Sequence, residues 1–107
     1  RPWGWFDTID EGIGFKVKRI QINPKKSISL QKHQRRSEHW VVIKGQATIT
    51  KDDEIFTLKE NESVYIKKNQ THRISNQTNK ITQIIEVQSG DYLGEDDIER
   101  LEDNYGR

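Results

Sequence analysis

The chain has 107 residues, 18 of them basic and 17 acidic, for a formal net charge of +1, and it contains neither cysteine nor methionine. That length holds one domain, spanning 1–107, with a small core. The missing thiols exclude disulfides and thiol chemistry and suit a reducing cytoplasm, while the even mixing of charge excludes a general nucleic-acid binder. No run approaches the roughly 18 apolar residues of a membrane span and no signal peptide opens the chain, so a cytoplasmic protein without membrane partners is expected. A first residue of Arg rather than Met reads as a piece cut from a longer polypeptide.

Fourteen Ile and five Val against four Leu and one Ala make a strand composition, because branching at Cβ suits a pleated surface and costs rotamer freedom in a helix. Period-two alternation begins at Phe15: Lys16, Lys18, Ile20 and Ile22 share one face, and Phe15, Val17 and Arg19 the other. Further strands are expected at Ser27 to Gln31, Glu38 to Ile43, Ala47 to Lys51, Glu54 to Leu58, Ser63 to Ile66, Thr71 to Ser75 and Ile81 to Gln88. Turn residues separate them at Asn23-Pro24, Lys44-Gly45, Asp52-Asp53, Glu60-Asn61, Lys68-Asn69 and Asn76-Gln77. Many short strands without crossover helices predict an all-β sandwich or barrel. Only Glu95 to Glu102 reads as helical, with Ile98 and Leu101 one turn apart and acidic residues at its start.

Parity then sorts the polar residues. Gln31 and His33 face one way, Glu38 points inward with Trp40 and Val42, and His72 shares a face with Ile74 and Asn76. A carboxylate aimed at a core is costly unless a cation or strong donors receive it. Two imidazoles, a carboxylate and the Gln31 amide oxygen form a nitrogen and oxygen set suited to a divalent metal. The structural alternative is that His33 and His72 are hydrogen-bonded core or surface histidines and that Glu38 pairs with Arg35 or Arg36.

Gln31-Lys-His33, four residues, Glu38, six residues and Gly45 resembles the first cupin motif, H-x-H-(x)3-4-E-(x)6-G, with Gln at its first histidine. The second motif, G-(x)5-P-x-G-(x)2-H-(x)3-N, aligns with Asn61, Lys67, Asn69, His72 and Asn76, of which His72 and Asn76 match literally. The turn before His72 must form without Pro and Gly, and Asn69 can take the left-handed conformation it needs. A more specific resemblance runs through Arg1-Pro-Trp-Gly, Phe15-Lys-Val-Lys-Arg-Ile, Leu30-Gln-Lys-His, Arg36-Ser-Glu-His-Trp, Asn61-Glu-Ser-Val-Tyr-Ile, Ile85-Glu-Val-Gln-Ser-Gly, Tyr92-Leu-Gly-Glu-Asp-Asp-Ile and Asp103-Asn-Tyr-Gly-Arg107. Together these resemble the type II mannose-6-phosphate isomerase cupin, in which Gln at the first motif position is characteristic.

The resemblance implies a cupin, a double-stranded β-helix or jelly-roll barrel, here with a short C-terminal helix. It implies a metal-dependent aldose-ketose isomerase interconverting mannose 6-phosphate and fructose 6-phosphate, in the service of GDP-mannose synthesis. The implied cofactor is a divalent ion such as Zn, Co, Mn or Mg, held by Gln31, His33, Glu38 and His72. Family members usually carry a mannose-1-phosphate guanylyltransferase domain in front of the cupin, and no such half is present here. Lys18 is the leading phosphate cation by parity, with Arg36 and Arg107 next. Glu86, between Ile84 and Gln88 on one face, is the candidate base. A homodimer is expected, and the competing reading is a non-catalytic sugar-phosphate-binding or assembly domain for a guanylyltransferase.

Overall fold

A computed structural model describes residues 1–102, which form ten strands. They are β1 (Gly4–Gly12), β2 (Phe15–Ile22), β3 (Leu30–Lys32), β4 (Arg36–Lys44), β5 (Ala47–Lys51), β6 (Glu54–Leu58), β7 (Ser63–Ile66), β8 (His72–Ser75), β9 (Thr82–Gly90) and β10 (Glu99–Glu102). One antiparallel sheet has the order β1-β2-β9-β4-β7 and the other β10-β3-β8-β5-β6. The two inner faces enclose a core of Ile20, Ile22, Trp40, Val42, Ala47, Ile49, Leu58, Ile66, Ile74 and Ile84.

The alternation that marks these strands in the sequence is the alternation of their burial. In β9, Thr82, Ile84, Glu86 and Gln88 are buried while Gln83, Ile85 and Val87 between them are partly exposed. Register aligns the inward residues in rows across the sheet. Ile20, Ile84 and Val42 form one row; Lys18, Glu86, Trp40 and Val64 form the next; Gln88, Glu38 and Ile66 form a third. The interior is therefore hydrocarbon at one end and increasingly charged at the other. Gly45 turns the chain between β4 and β5 at φ +78°, where a Cβ would lie 2.6 Å from the Ile81 carbonyl oxygen.

Two expectations need correction, and one strand gives no signal in the sequence. The short C-terminal helix over Glu95 to Glu102 is not formed, and no helix is present among the described residues. Its last four residues instead pair with β3, Glu99 opposite Lys32 and Arg100 opposite Gln31. Eight residues make barely two turns, too few for a helix to hold without packing, whereas the β3 edge offers backbone partners immediately. The strand expected at Ser27 to Gln31 begins later, at Leu30, with Ser27 making only an isolated bridge to Ser75. Finally, β1 carries no clean period in its sequence: it is an edge strand exposed from Asp7 to Gly12, with a register shift between Thr8 and Asp10. No described helix is long and apolar enough to cross a membrane.

Candidate functional site

The charged end of the interior is assembled from both sheets. His33 sits in the turn between β3 and β4, Glu38 is the third residue of β4, and His72 opens β8. All three are buried, and one ligand-type atom from each lies within 4.8 Å of the others. His33 Nε2 is 3.3 Å from Glu38 Oε2, His72 Nε2 is 3.8 Å from Glu38 Oε1, and the imidazole centroids are 4.9 Å apart. The turn that delivers His72 is formed by Asn69 at φ +64°, whose N–H donates to the His33 carbonyl at 2.7 Å, tying the two histidine segments together.

Hydrogen bonding fixes the chemistry of both rings. His33 Nδ1 lies 2.6 Å from the Asp97 carbonyl oxygen and His72 Nδ1 lies 2.9 Å from that of Gln70. A carbonyl only accepts, so each Nδ1 carries the hydrogen and each Nε2 presents a lone pair. Burial pushes the His33 pKa down to about 4, helped by the Arg36 charge and opposed by the Asp97 hydrogen bond. Burial likewise lowers that of His72. Two neutral imidazole lone pairs and a carboxylate thus face one another. Acceptors at such distances repel unless a cation stands among them, and a nitrogen and oxygen donor set of this kind fits a borderline divalent metal ion.

Part of that demand is met by Arg36, the first residue of β4, whose Nε donates to Glu38 Oε2 at 2.8 Å and Nη2 to His33 Nε2 at 3.2 Å. Trp40 Nε1 donates to Glu38 Oε1 at 3.0 Å and reaches Glu86 Oε1 at 3.4 Å. Glu86 is buried in the row beneath, and Gln88 Nε2 donates to its Oε2 at 3.2 Å. Removal from water and the adjacent Glu38 carboxylate raise its pKa to about 8, so it holds a proton at neutrality.

Arg36, Glu38, Trp40, His72 and Glu86 open on a cavity of about 290 Å³. Gln31 lines it, paired across the sheet with His72. Its Nε2 donates to the Ser29 carbonyl and hydroxyl at 3.2 and 3.1 Å, which orients the amide. Lys18 also lines the cavity, 4% exposed, with its Nζ 4.2 Å from the centroid of the Phe6 ring and 2.9 Å from Glu95 Oε2. Arg1, 4.5 Å from the same ring centroid, and Arg100 complete the cationic wall. Gln31, His33, Glu38, His72, Lys18, Arg36 and Glu86 therefore converge. Arg107 lies outside the described residues.

Two contributors escape sequence reasoning. Asp97 orients His33 through its carbonyl oxygen while its carboxylate accepts the Gln34 and Arg35 N–H groups at 3.0 and 2.8 Å, which pins the turn carrying His33. Glu95 reaches from the loop between β9 and β10 to Lys18. Both belong to an acidic run that reads as a helix start, and a main-chain acceptor leaves no mark in a sequence.

Comparison with known proteins agrees with this architecture. A family model described as "Mannose-6-phosphate isomerase C-terminal" matches residues 1–103. Across all 107 residues the chain is 53% identical to the xanthan biosynthesis protein XanB of Xanthomonas campestris. It is 54% identical to the alginate biosynthesis protein AlgA of Pseudomonas aeruginosa and 49% to the mannose-1-phosphate guanylyltransferase ManC of Salmonella typhimurium. It spans only 22 to 23% of the length of those relatives. A double-stranded β-helix protein from Klebsiella pneumoniae superposes with a TM-score of 0.80 at 18% identity, over 91% of this chain and 83% of that one. A cupin-superfamily sugar phosphate isomerase from Silicibacter pomeroyi gives 0.66 at 18% identity, over 71% and 50%. Sequence match over nearly the full length and a shared barrel thus place this chain in the family of mannose-6-phosphate isomerase C-terminal domains, within the cupin fold.

Proposed function

We propose that this domain binds a divalent metal through Gln31, His33, Glu38 and His72 and interconverts mannose 6-phosphate with fructose 6-phosphate. The observation that carries the reading is the trio of proton-free acceptors, two Nε2 atoms and the Glu38 carboxylate, gathered beneath a cation-lined cavity. When bound there, a divalent ion supplies Lewis-acid polarisation of the sugar oxygens at C1 and C2. The chain's own residues supply the remainder. Lys18 and Arg36 bind the phosphate, the first as a point charge and the second as a planar donor. Arg107, beyond the described residues, is assigned with them as a closing cation on the reacting sugar. Glu86, in its carboxylate form, takes the proton from one of C1 and C2 and returns it to the other, its pKa of about 8 leaving a working fraction ionised near neutrality. Trp40 Nε1, set between Glu38 and Glu86, keeps the two carboxyl groups in fixed relation.

A second reading has its own support. ManC and its Escherichia coli counterpart carry names that specify guanylyltransferase activity, and this chain spans less than a quarter of each. On that reading the cavity binds a sugar phosphate or secures a neighbouring guanylyltransferase domain without turnover. A coupled assay on purified protein with mannose 6-phosphate and added Zn, Co, Mn or Mg separates the two: fructose 6-phosphate formation supports the isomerase, and its absence with every metal favours the binding role. His72→Ala should abolish metal uptake and turnover while the β-rich circular dichroism persists; metal content retained at wild-type stoichiometry would refute the ligand assignment. A cytoplasmic homodimer accompanies the first reading. Val17, Val87, Val41 and Ile85 lie half-buried, and Tyr65 exposed, on the outer face of the β1-β2-β9-β4-β7 sheet, apolar surface that a second copy would cover.

A further inference from the structure

The cationic wall of the cavity already holds an anion of the protein's own. Lys18 Nζ is 2.9 Å from Glu95 Oε2, and the same oxygen stands 3.9 Å from Arg36 Nη1. Arg36 is 6% exposed, yet its buried Nη1 makes no hydrogen bond among the described residues. Leaving a guanidinium hydrogen buried and unbonded is costly. As placed, the Glu95 carboxylate satisfies one cation and falls short of the other, its Oε2 lying at hydrogen-bond distance from Lys18 Nζ but not from Arg36 Nη1. A phosphate carries three terminal oxygens at tetrahedral angles and can serve the two donors separately.

The Glu95 side chain is also poised to leave. It is 56% exposed, so rotation into water requires no movement of the core. The loop that bears it is fastened on both sides: Lys16 Nζ donates to the Leu93 carbonyl at 3.2 Å, Tyr92 donates its hydroxyl hydrogen to Asp96, and Asp97 holds the Gln34 and Arg35 N–H groups. Burial opposes ionisation of Glu95, but the hydrogen bond and charge of Lys18 prevail and keep its pKa low, so the carboxylate is anionic and competes throughout the neutral range.

We propose that Glu95 is a specificity-determining residue: its carboxylate occupies the phosphate seat on Lys18 and Arg36, so that only a ligand bearing its own anion can displace it. This rests on the phosphate role proposed above for those two cations. An unphosphorylated hexose offers no charge to exchange for Glu95 and would leave Lys18 buried without a counter-ion, an arrangement that excludes it by cost rather than by shape. The sugar phosphate instead replaces one ion pair with another and satisfies Arg36 Nη1 in addition.

Calorimetric titration of inorganic phosphate into four proteins tests this: wild type, Glu95→Gln, Asp96→Asn and Lys18→Met, each verified as folded by circular dichroism. Glu95→Gln should bind phosphate about three- to fivefold more tightly, the scale of losing one partly exposed competing ion pair. Asp96→Asn removes the same charge from the same loop without touching either cation, and its affinity should stay within about twofold of wild type. Lys18→Met should lose binding. Equal gains in the Glu95 and Asp96 variants would mean that net charge alone is responsible and would overturn the proposal. Unchanged or weaker binding in Glu95→Gln, with Lys18→Met still defective, would overturn it while leaving the phosphate seat intact. Phosphate binding that is indifferent to Lys18→Met would remove the seat itself.

Discussion

Glu38 shows how much of this domain's chemistry depends on what surrounds one carboxylate. Buried at 2% exposure, it is held by Arg36 and Trp40 and lies beside Glu86, which retains its proton because it is removed from water and, secondly, because this carboxylate stands next to it. Replacing Glu86 with Gln keeps the volume and one acceptor oxygen for Trp40 Nε1 but removes the exchangeable proton. Glu86→Gln should therefore lower kcat by a factor on the order of 10² to 10⁴ with metal content unchanged, checked by the coupled assay together with elemental analysis. A loss below threefold would assign the proton transfer elsewhere. At this scale the sequence is informative wherever side chains alternate: parity directs Lys18, Glu38 and His72 to the interior where the structure places them, while Glu86, with Ile85 and Val87 on the opposite face, reads equally well inward or outward until the structure buries it. It says nothing of which nitrogen of His33 bears hydrogen, since that is set by a main-chain oxygen 64 residues away.

Among the elements, β9 has the greatest share of responsibility. It is paired along its length with β2 on one side and β4 on the other, and it carries Ile84, Glu86 and Gln88 inward at successive alternate positions. Its terminal Gly90 lies opposite Arg36, and a Cβ there would meet the Arg35 carbonyl oxygen at 2.1 Å. The collision is with backbone, so relief must come from the turn that carries His33. Gly90→Ala should destabilise the fold by about 2 kcal/mol or more and weaken metal binding as well, measured by denaturant midpoint and metal titration. Wild-type stability in that variant would show that the turn yields freely. The elements easiest to read were those with branched residues at every second position, such as β2, β5 and β9. β1 is hidden because its edge position leaves most of its residues exposed. β10 is illegible because Ile98 and Leu101 carry a helical spacing and no period of two, and only pairing with the edge of β3 makes Glu99–Glu102 a strand.

For the molecule as a whole, the buried titrating groups predict a distinctive stability profile in protein stripped of metal. The pKa of His33 falls from 6.5 to about 4 on folding, and that of His72 also falls. Their contribution is present above pH 6.5 and is lost as the pH drops towards 4, because the unfolded chain takes up protons that the folded one refuses. For His33 alone this amounts to roughly 3 kcal/mol. Glu86 acts in the opposite sense: its pKa rises from 4.5 to about 8, so its contribution is complete below pH 4.5 and is lost as the pH climbs to 8. Below pH 6.5 the two histidines outweigh the one carboxyl; above it Glu86 acts without them. Stability should therefore peak near pH 6.5, and Glu86→Gln should abolish the decline between 6.5 and 8, as followed by urea denaturation in the presence of chelator. A decline of equal steepness in the variant would place its origin in other groups.

The His33 ring takes its orientation from the Asp97 carbonyl, an atom that every amino acid possesses. Exchanging residue 97 alters how firmly the turn is pinned but cannot delete that oxygen; what would displace it is a change in the number of residues between β9 and β10. Loop length, more than loop composition, is then the heritable quantity that keeps this imidazole aimed, and insertions or deletions there should prove more damaging than point changes.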